Sequence, residues 1–261
     1  MFRTGLVSIS FRQHTPREIV QAAAAAHLQE IEWGSDVHVP PGDTAAARET
    51  EALTVDSGLR TAAYGSYYRL CSTPADEFGR ILETAEILGA PVIRIWGGTK
   101  GSALVDDSAF DALVADGRRI ADMAQKSGRV LSLECHCDTI TDNYCAALRF
   151  LRTVDSPAMT MYWQPNQFKS AAYNLEAAAA LRPYVTNLHV FHWDAQHRYP
   201  LENGAGIWEQ YLRIFTEDRS DHGLLLEFMH DDRLETLRQT ADTLNSWLLR
   251  VQRITERSKQ A

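Results

Sequence analysis

Val130-Leu131-Ser132-Leu133-Glu134-Cys135-His136 alternates between two kinds of side chain, and it begins two residues after Gly128, which closes a helical run. Glycine in that place is the expected left-handed helix cap. With Glu134 on one face of an extended chain, Ser132 and His136 share that face, while Leu131, Leu133 and Cys135 point the other way. The segment reads as a strand with helices covering its apolar side and a polar interior on the other. A second helical stretch, Asp142–Val154, follows it.

Three later segments repeat the arrangement. Met161-Tyr162-Trp163-Gln164 sends Tyr162 and Gln164 to one face and Met161 and Trp163 to the other. In Asn187-Leu188-His189-Val190-Phe191, the residues Asn187, His189 and Phe191 fall opposite Leu188 and Val190. Leu224-Leu225-Leu226-Glu227-Phe228 sets Glu227 against Leu224, Leu226 and Phe228. Polar groups at the ends of strands otherwise built for burial cost several kcal/mol unless they are paired or metal-bound. Four in succession ask for one common explanation.

Upstream, the same alternation of short β-rich runs with longer helical ones continues. Eight strands are expected near Gly5–Phe11, Glu30–Trp33, Arg60–Tyr64, Val92–Trp96, Val130–His136, Met159–Gln164, Asn187–Phe191 and Leu224–Met229. Thr15-Pro16-Arg17-Glu18 carries an N-cap, a proline at the first helical position and a capping-box glutamate. Gly58 and Gly89 stand between helix and strand as Gly128 does. Later helices are expected at Asn174–Leu181, Ile207–Phe215 and Arg233–Arg250. Trp208 and Trp247 lie on these helices and read as helix-to-barrel packing.

Strands alternating with helices imply a parallel sheet with crossover helices, and 261 residues match a (β/α)8 TIM barrel. An open doubly wound sheet is the competing arrangement. Ser8-Ile9-Ser10-Phe11-Arg12 stands where that fold would place a glycine-rich phosphate turn, which disfavours it. With 45% hydrophobic residues and no Pro/Gly/Ser-rich linker, residues 1–261 read as one domain.

A formal charge of −8 gives no net attraction for a polyphosphate backbone, although a local basic site could still hold one carboxylate or phosphate. Nucleic acid is excluded as an expected partner. No apolar run approaches the roughly 20 residues of a membrane helix, and the N-terminal stretch lacks a signal-peptide pattern, so the expected compartment is the cytoplasm. Cys71, Cys135, Cys137 and Cys145 fit a reducing environment, and Cys135 and Cys137 read as small apolar residues packed on covering helices rather than as zinc ligands. No G-x-S-x-G elbow accompanies Ser66 or Ser102.

In a closed barrel, Glu134, Gln164, His189 and Glu227 approach one axis. One imidazole, two carboxylates and one amide carbonyl suit Mn²⁺, Co²⁺ or Mg²⁺ in a shell with room for substrate oxygens. A buried hydrogen-bonded network without metal is the alternative on the pattern alone. Glu32, His38, Arg69, Trp96 and His136 are further candidates for the mouth, where an acid and an aromatic wall would define a sugar-sized pocket.

Leu133-Glu134-Cys135-His136, Gln164-Pro165-Asn166-Gln167, His189-Val190-Phe191 and Leu226-Glu227, in that order, resemble the xylose-isomerase-like barrel superfamily of sugar and sugar-phosphate isomerases and epimerases. The similarity runs from Gly5 to about Leu249. It implies that Glu134 and Glu227 ligate the metal and flank the substrate carbon that loses its proton, and that His189 and the strand-six residue complete the shell. That residue is usually aspartate; here it is Gln164, which removes one negative charge. Gln167 stands where many such epimerases carry a substrate-binding histidine, and Arg198 is the nearest match to their substrate-binding arginine.

The resemblance implies a divalent-metal-dependent isomerase or epimerase of a sugar or related hydroxyketone, working through a metal-stabilised enediolate. Manganese is the expected ion, with Mg, Co or Zn as alternatives, and the family often forms homo-oligomers. A lyase or dehydratase on the same site, and a non-catalytic sugar-binding barrel, are the rival readings. A metal-dependent endonuclease of the same superfamily is disfavoured, because Gln164 and Gln167 occupy places where its metal cluster needs Asp and His.

Overall fold

The computed structural model describes residues 2–217 and 220–260. Its strands are β1 (Phe2–Val7), β2 (Glu30–Gly34), β3 (Arg60–Arg69), β4 (Val92–Trp96), β5 (Val130–Leu133), β6 (Met159–Trp163), β7 (Val185–Val190) and β8 (His222–Leu226). Each pairs in parallel with the next, and β8 pairs with β1, which closes the barrel. The helices α1 (Pro16–Ala25), α2 (Thr44–Asp56), α3 (Glu77–Ile87), α4 (Asp107–Lys126), α5 (Tyr144–Val154), α6 (Ala171–Leu181), α7 (Ala205–Phe215) and α8 (Leu234–Gln260) form the crossovers. The (β/α)8 architecture expected from the alternating pattern is the observed one.

Local signals act as read. Thr15 accepts from the Glu18 amide while the Glu18 carboxylate accepts from the Thr15 amide, with Pro16 opening α1. Gly58, Gly89 and Gly128 have φ of 73°, 63° and 72°.

Two apolar layers separate along the strands as alternation requires. Leu131, Leu133, Met161, Trp163, Leu188, Val190, Leu224 and Leu226 belong to the large cluster between barrel and helices. Val7, Ala63, Val92, Tyr162 and Leu225 form a small inner cluster. Trp208 and Trp247 are both 1% exposed and stack in parallel, with centroids 6.2 Å apart. No helix among the described residues is long and apolar enough to cross a membrane.

Strand ends depart from the sequence reading where side chains take over the hydrogen bonds. β1 stops at Val7, and Ser8–Phe11 is a 3-10 turn. There the Ser8 hydroxyl accepts from the Gly34 amide at 2.9 Å, and the Ser10 hydroxyl accepts from the Phe228 amide at 2.8 Å. β5 stops at Leu133, so Glu134 lies just past the ladder, its amide donating to the Ile95 carbonyl at 3.0 Å. β3 runs beyond the expected Tyr64 to Arg69, through a register irregularity and a Tyr67 with φ of 55°.

Two orientations also differ. Phe228, expected to face outward, has φ of 42° and packs on the inner cluster instead. Cys137, expected against a helix, is exposed in the β5–α5 connection, whereas Cys135 packs against the outer apolar cluster as expected.

Candidate active site

The C-terminal ends of the parallel strands place the site. Glu134 follows β5, Gln164 follows β6, His189 is in β7 and Glu227 follows β8. The Glu227 amide donates to the Val190 carbonyl at 3.1 Å, which holds its side chain beside His189. His189 Nδ1 lies 2.7 Å from Gln164 Oε1, 3.3 Å from Glu227 Oε2 and 3.9 Å from Glu134 Oε1. Three oxygens and one imidazole nitrogen thus face a common point. Glu134, His189 and Glu227 form the group of three acid or imidazole side chains that could hold a metal ion, with ligand atoms within 4.8 Å of one another.

A layer of charge lies behind these four. The Arg94 guanidinium, 1% exposed, donates to Glu32 Oε1 at 2.6 Å and to Glu134 Oε2. The Trp96 indole also donates to Glu134 Oε2, at 2.6 Å. Two donors therefore occupy one Glu134 oxygen and leave Oε1 turned to the common point. Glu32 is fully buried, with Oε2 3.7 Å from His189 Nε2, and neither atom has a hydrogen-bond partner among the described residues. A shift of under about 1 Å would join them as the carboxylate–imidazole pair that orients metal-binding histidines.

Electrostatics follow from this packing. Burial pushes the Glu32 carboxyl up, but Arg94 and His189 outweigh it and hold it at about 2. Burial alone would lower His189; the surrounding Glu227 and Glu32 carboxylates raise it to about 10. The three carboxyl groups of Glu32, Glu134 and Glu227 thus face a single buried guanidinium, Arg94, and the His189 imidazole. That surplus, four convergent donors and a buried imidazole drawn into the cationic form fit a divalent cation in place of the proton on Nδ1.

The site opens into a cleft of about 760 Å³ empty volume, continuous with solvent. Glu134, Gln164, Glu227, His136 and Gln167 line it, with Trp193 and Phe228 on one wall. His136 lies flat on Trp96, with ring centroids 4.1 Å apart.

The remaining sequence candidates fall elsewhere. Glu32 sits beneath His189 rather than at the mouth. His38 is buried between the Ser8 hydroxyl at 3.0 Å and the His14 carbonyl at 3.2 Å, outside the cleft. Arg198 is exposed, donates to Asp232 at 2.5 Å and covers the outer side of Trp193 and Phe228.

The residue that the strand pattern did not single out is Arg94. Its signal was available, because an arginine inside Val92-Ile93-Arg94-Ile95-Trp96 must lie buried, and a buried guanidinium needs carboxylates. Gly65 makes room for it: a Cβ there would stand 2.7 Å from Arg94 Nη2 and 2.8 Å from Glu32 Oε1.

The family described as Xylose isomerase-like TIM barrel matches residues 20–249. The chain belongs to that family. No curated protein matches the sequence. Among solved structures, this xylose isomerase-like chain is similar to the probable 3-DHS dehydratase AsbF from Bacillus anthracis, at 19% identity and a TM-score of 0.77, covering 94% of this chain and 99% of that one. L-ribulose 3-epimerase is similar at 13% identity and a TM-score of 0.72, covering 98% and 97%. A xylose isomerase-like TIM barrel protein from Mycobacterium smegmatis in complex with magnesium is similar at 15% identity and a TM-score of 0.67, covering 94% and 97%. At these identities the likeness carries the fold.

Proposed function

We propose that this protein is a divalent-metal-dependent isomerase or epimerase of a sugar or related hydroxyketone. The observation that carries the reading is the convergence of Glu134 Oε1, Gln164 Oε1 and Glu227 Oε2, on residues lining an open cleft, around Nδ1 of the buried His189. Membership of the Xylose isomerase-like TIM barrel family and the likeness in fold to L-ribulose 3-epimerase support it.

A ketose holds a weakly acidic C–H beside its carbonyl. When bound, a divalent ion would draw electron density from that carbonyl and the neighbouring hydroxyl, which eases loss of the proton. Manganese is the preferred ion, since the donor set is one imidazole with oxygen ligands, and magnesium, cobalt or zinc fit less selectively.

The side chains divide the remaining work. Glu227 accepts the proton: beyond its contact with His189, its carboxylate faces the cleft. Glu134 stands across the site with Oε2 tied to Arg94 and Trp96; for epimerisation it takes up a proton from solvent on Oε1 before turnover and delivers it to the opposite face of the carbon, while Glu227 releases the abstracted proton to solvent. Gln164 is held by its amide donating to the Cys135 carbonyl at 2.9 Å, which presents its own carbonyl oxygen to the site. Gln167 and His136, on the cleft wall, meet the hydroxyls of the substrate. Glu32 orients His189 from behind.

The two glutamates are unequal, because one oxygen of Glu134 is saturated by donors while Glu227 is less tied. This asymmetry favours, as a second reading, chemistry with Glu227 as sole base: a dehydratase, as AsbF is described, in which a leaving hydroxyl departs after the same proton abstraction. Incubation of the Mn²⁺-loaded protein with ketoses in D2O separates these readings. Cation-dependent deuterium incorporation at the carbon beside the carbonyl, with mass otherwise unchanged, is expected for the isomerase or epimerase. Loss of water from the product would favour the dehydratase. No incorporation into any ketose, and no elimination, would contradict both.

A further inference from the structure

The C-terminal end of the barrel carries four arginines in a chain of net charge −8, and they are not equivalent: Arg233 is held by Glu235 at 3.4 Å. Arg12 is held by Asp36 at 2.7 Å, the Tyr67 hydroxyl at 2.9 Å and the Ile9 carbonyl at 3.2 Å. Arg198 is held by Asp232. Arg69 has no hydrogen-bond or ion-pair acceptor for its guanidinium among the described residues, yet it is half-buried and fixed. Its Cζ lies 3.6 Å from the centroid of the Trp96 ring, the same indole that donates to Glu134 Oε2 and stacks on His136. The buried Arg94, by contrast, spends its donors on Glu32 and Glu134 and lies beneath the site.

The backbone is bent to put Arg69 there. β3 departs from regular pairing between Gly65 and Arg69, and Tyr67 takes a left-handed conformation. Regular pairing resumes with Arg69 opposite Trp96, and the Arg69 amide is capped by the Thr73 hydroxyl at 2.9 Å. Irregularities of this kind beside active sites re-aim a side chain. An exposed surface arginine without a partner is ordinary. One stacked on the indole that touches a site glutamate, at the end of a distorted strand, is a fork of donors held ready for an acceptor.

From this we infer that the substrate carries a carboxylate, which Arg69 binds on the barrel rim beside the cleft, next to the Trp96 ring that also stacks on the cleft-lining His136, while the hydroxyketone end reaches Glu134 and Glu227. The inference rests on the enolising reading above and names its substrate class, a keto acid of sugar size. A carboxylate is favoured over a phosphate because the subsite offers a single planar guanidinium, which matches two coplanar oxygens and one negative charge. A phosphate dianion would call for further cationic donors, and Arg12, Arg198 and Arg233 are engaged by carboxylates while Lys169 lies over the Tyr173 ring.

Titration calorimetry of the full chain loaded with Mn²⁺, using 5-keto-D-gluconate, D-fructose and D-fructose 6-phosphate as probes, tests this. The keto acid is expected to bind at least about tenfold more tightly than fructose, the advantage of a charge-assisted forked pair. Arg69→Met should bring the ratio of the two dissociation constants to about one, and Arg69→Lys, which keeps the charge and loses the fork, should leave an intermediate ratio. Equal binding of keto acid and fructose, binding of neither, or a preference that survives Arg69→Met would overturn the subsite. Tighter binding of the sugar phosphate would overturn its assignment to a carboxylate. A keto-acid preference lost in Arg69→Met, without any deuterium exchange, would remove the enolising reading and leave the subsite standing.

Discussion

Glu227→Gln is expected to fold as the parent does and to lose cation-dependent deuterium incorporation by about 10²–10⁴-fold, the usual share of a positioned general base. The amide keeps the size of the carboxylate and can still offer an oxygen near His189 Nδ1, but it cannot take a proton from carbon. Glu134→Gln should lose comparable activity for a second reason. Its carbonyl oxygen would be claimed by the Arg94 and Trp96 donors that now hold Oε2, turning the amide N–H2 toward the common point. Circular dichroism and thermal melts check folding, and exchange in D2O checks function. Exchange retained in both variants would sink the assignment of these glutamates.

The largest effect on stability is expected from Arg94→Met. Arg94 is buried between Glu32 and Glu134, themselves 0% and 4% exposed, so the substitution strands two carboxylates in the barrel interior. Removing one partner of a buried ion pair costs about 3–5 kcal/mol. In a chain of this size that lowers Tm by roughly 6–20 °C. Adding Glu32→Gln to Arg94→Met should recover part of the loss, since the amide needs no counter-charge; a double-mutant cycle measures that coupling. Additive losses would show that Arg94 and Glu32 do not act as a pair.

The barrel and its register were legible in the sequence because burial on two different surfaces leaves a period-two record. Leu131, Leu133, Met161 and Trp163 read outward and lie in the outer core, while Tyr162 and Leu225 face the inner one. The record fails where strands end. Ser8 and Ser10 satisfy neighbouring amides through their hydroxyls, so β1 turns away four residues earlier than its β-rich composition suggests. Phe228 escapes alternation because a left-handed residue just past β8 rotates it inward, and Trp193 fixes it there by donating to its carbonyl at 3.0 Å.

Long side chains were the hardest to place. Arg94, Arg198 and Arg69 carry the same charge, yet one is buried in carboxylates, one is held by Asp232 and one is stacked on Trp96 with no acceptor among the described residues. Only the positions of their neighbours decide which is which. Glu32 was legible as an inward acid at the end of β2, but its place behind His189, rather than at the mouth, depends on barrel closure bringing β2 and β7 to opposite sides of one axis.

Elemental analysis of gently purified wild type beside His189→Ala, each also after incubation with Mn²⁺ and desalting, tests without any substrate whether the four convergent side chains hold one divalent cation. About one divalent ion per chain in the wild type, lost in His189→Ala, is the expected result. No ion in either protein, even after Mn²⁺ is supplied, would contradict the claim and leave a binding barrel without metal as the reading to pursue.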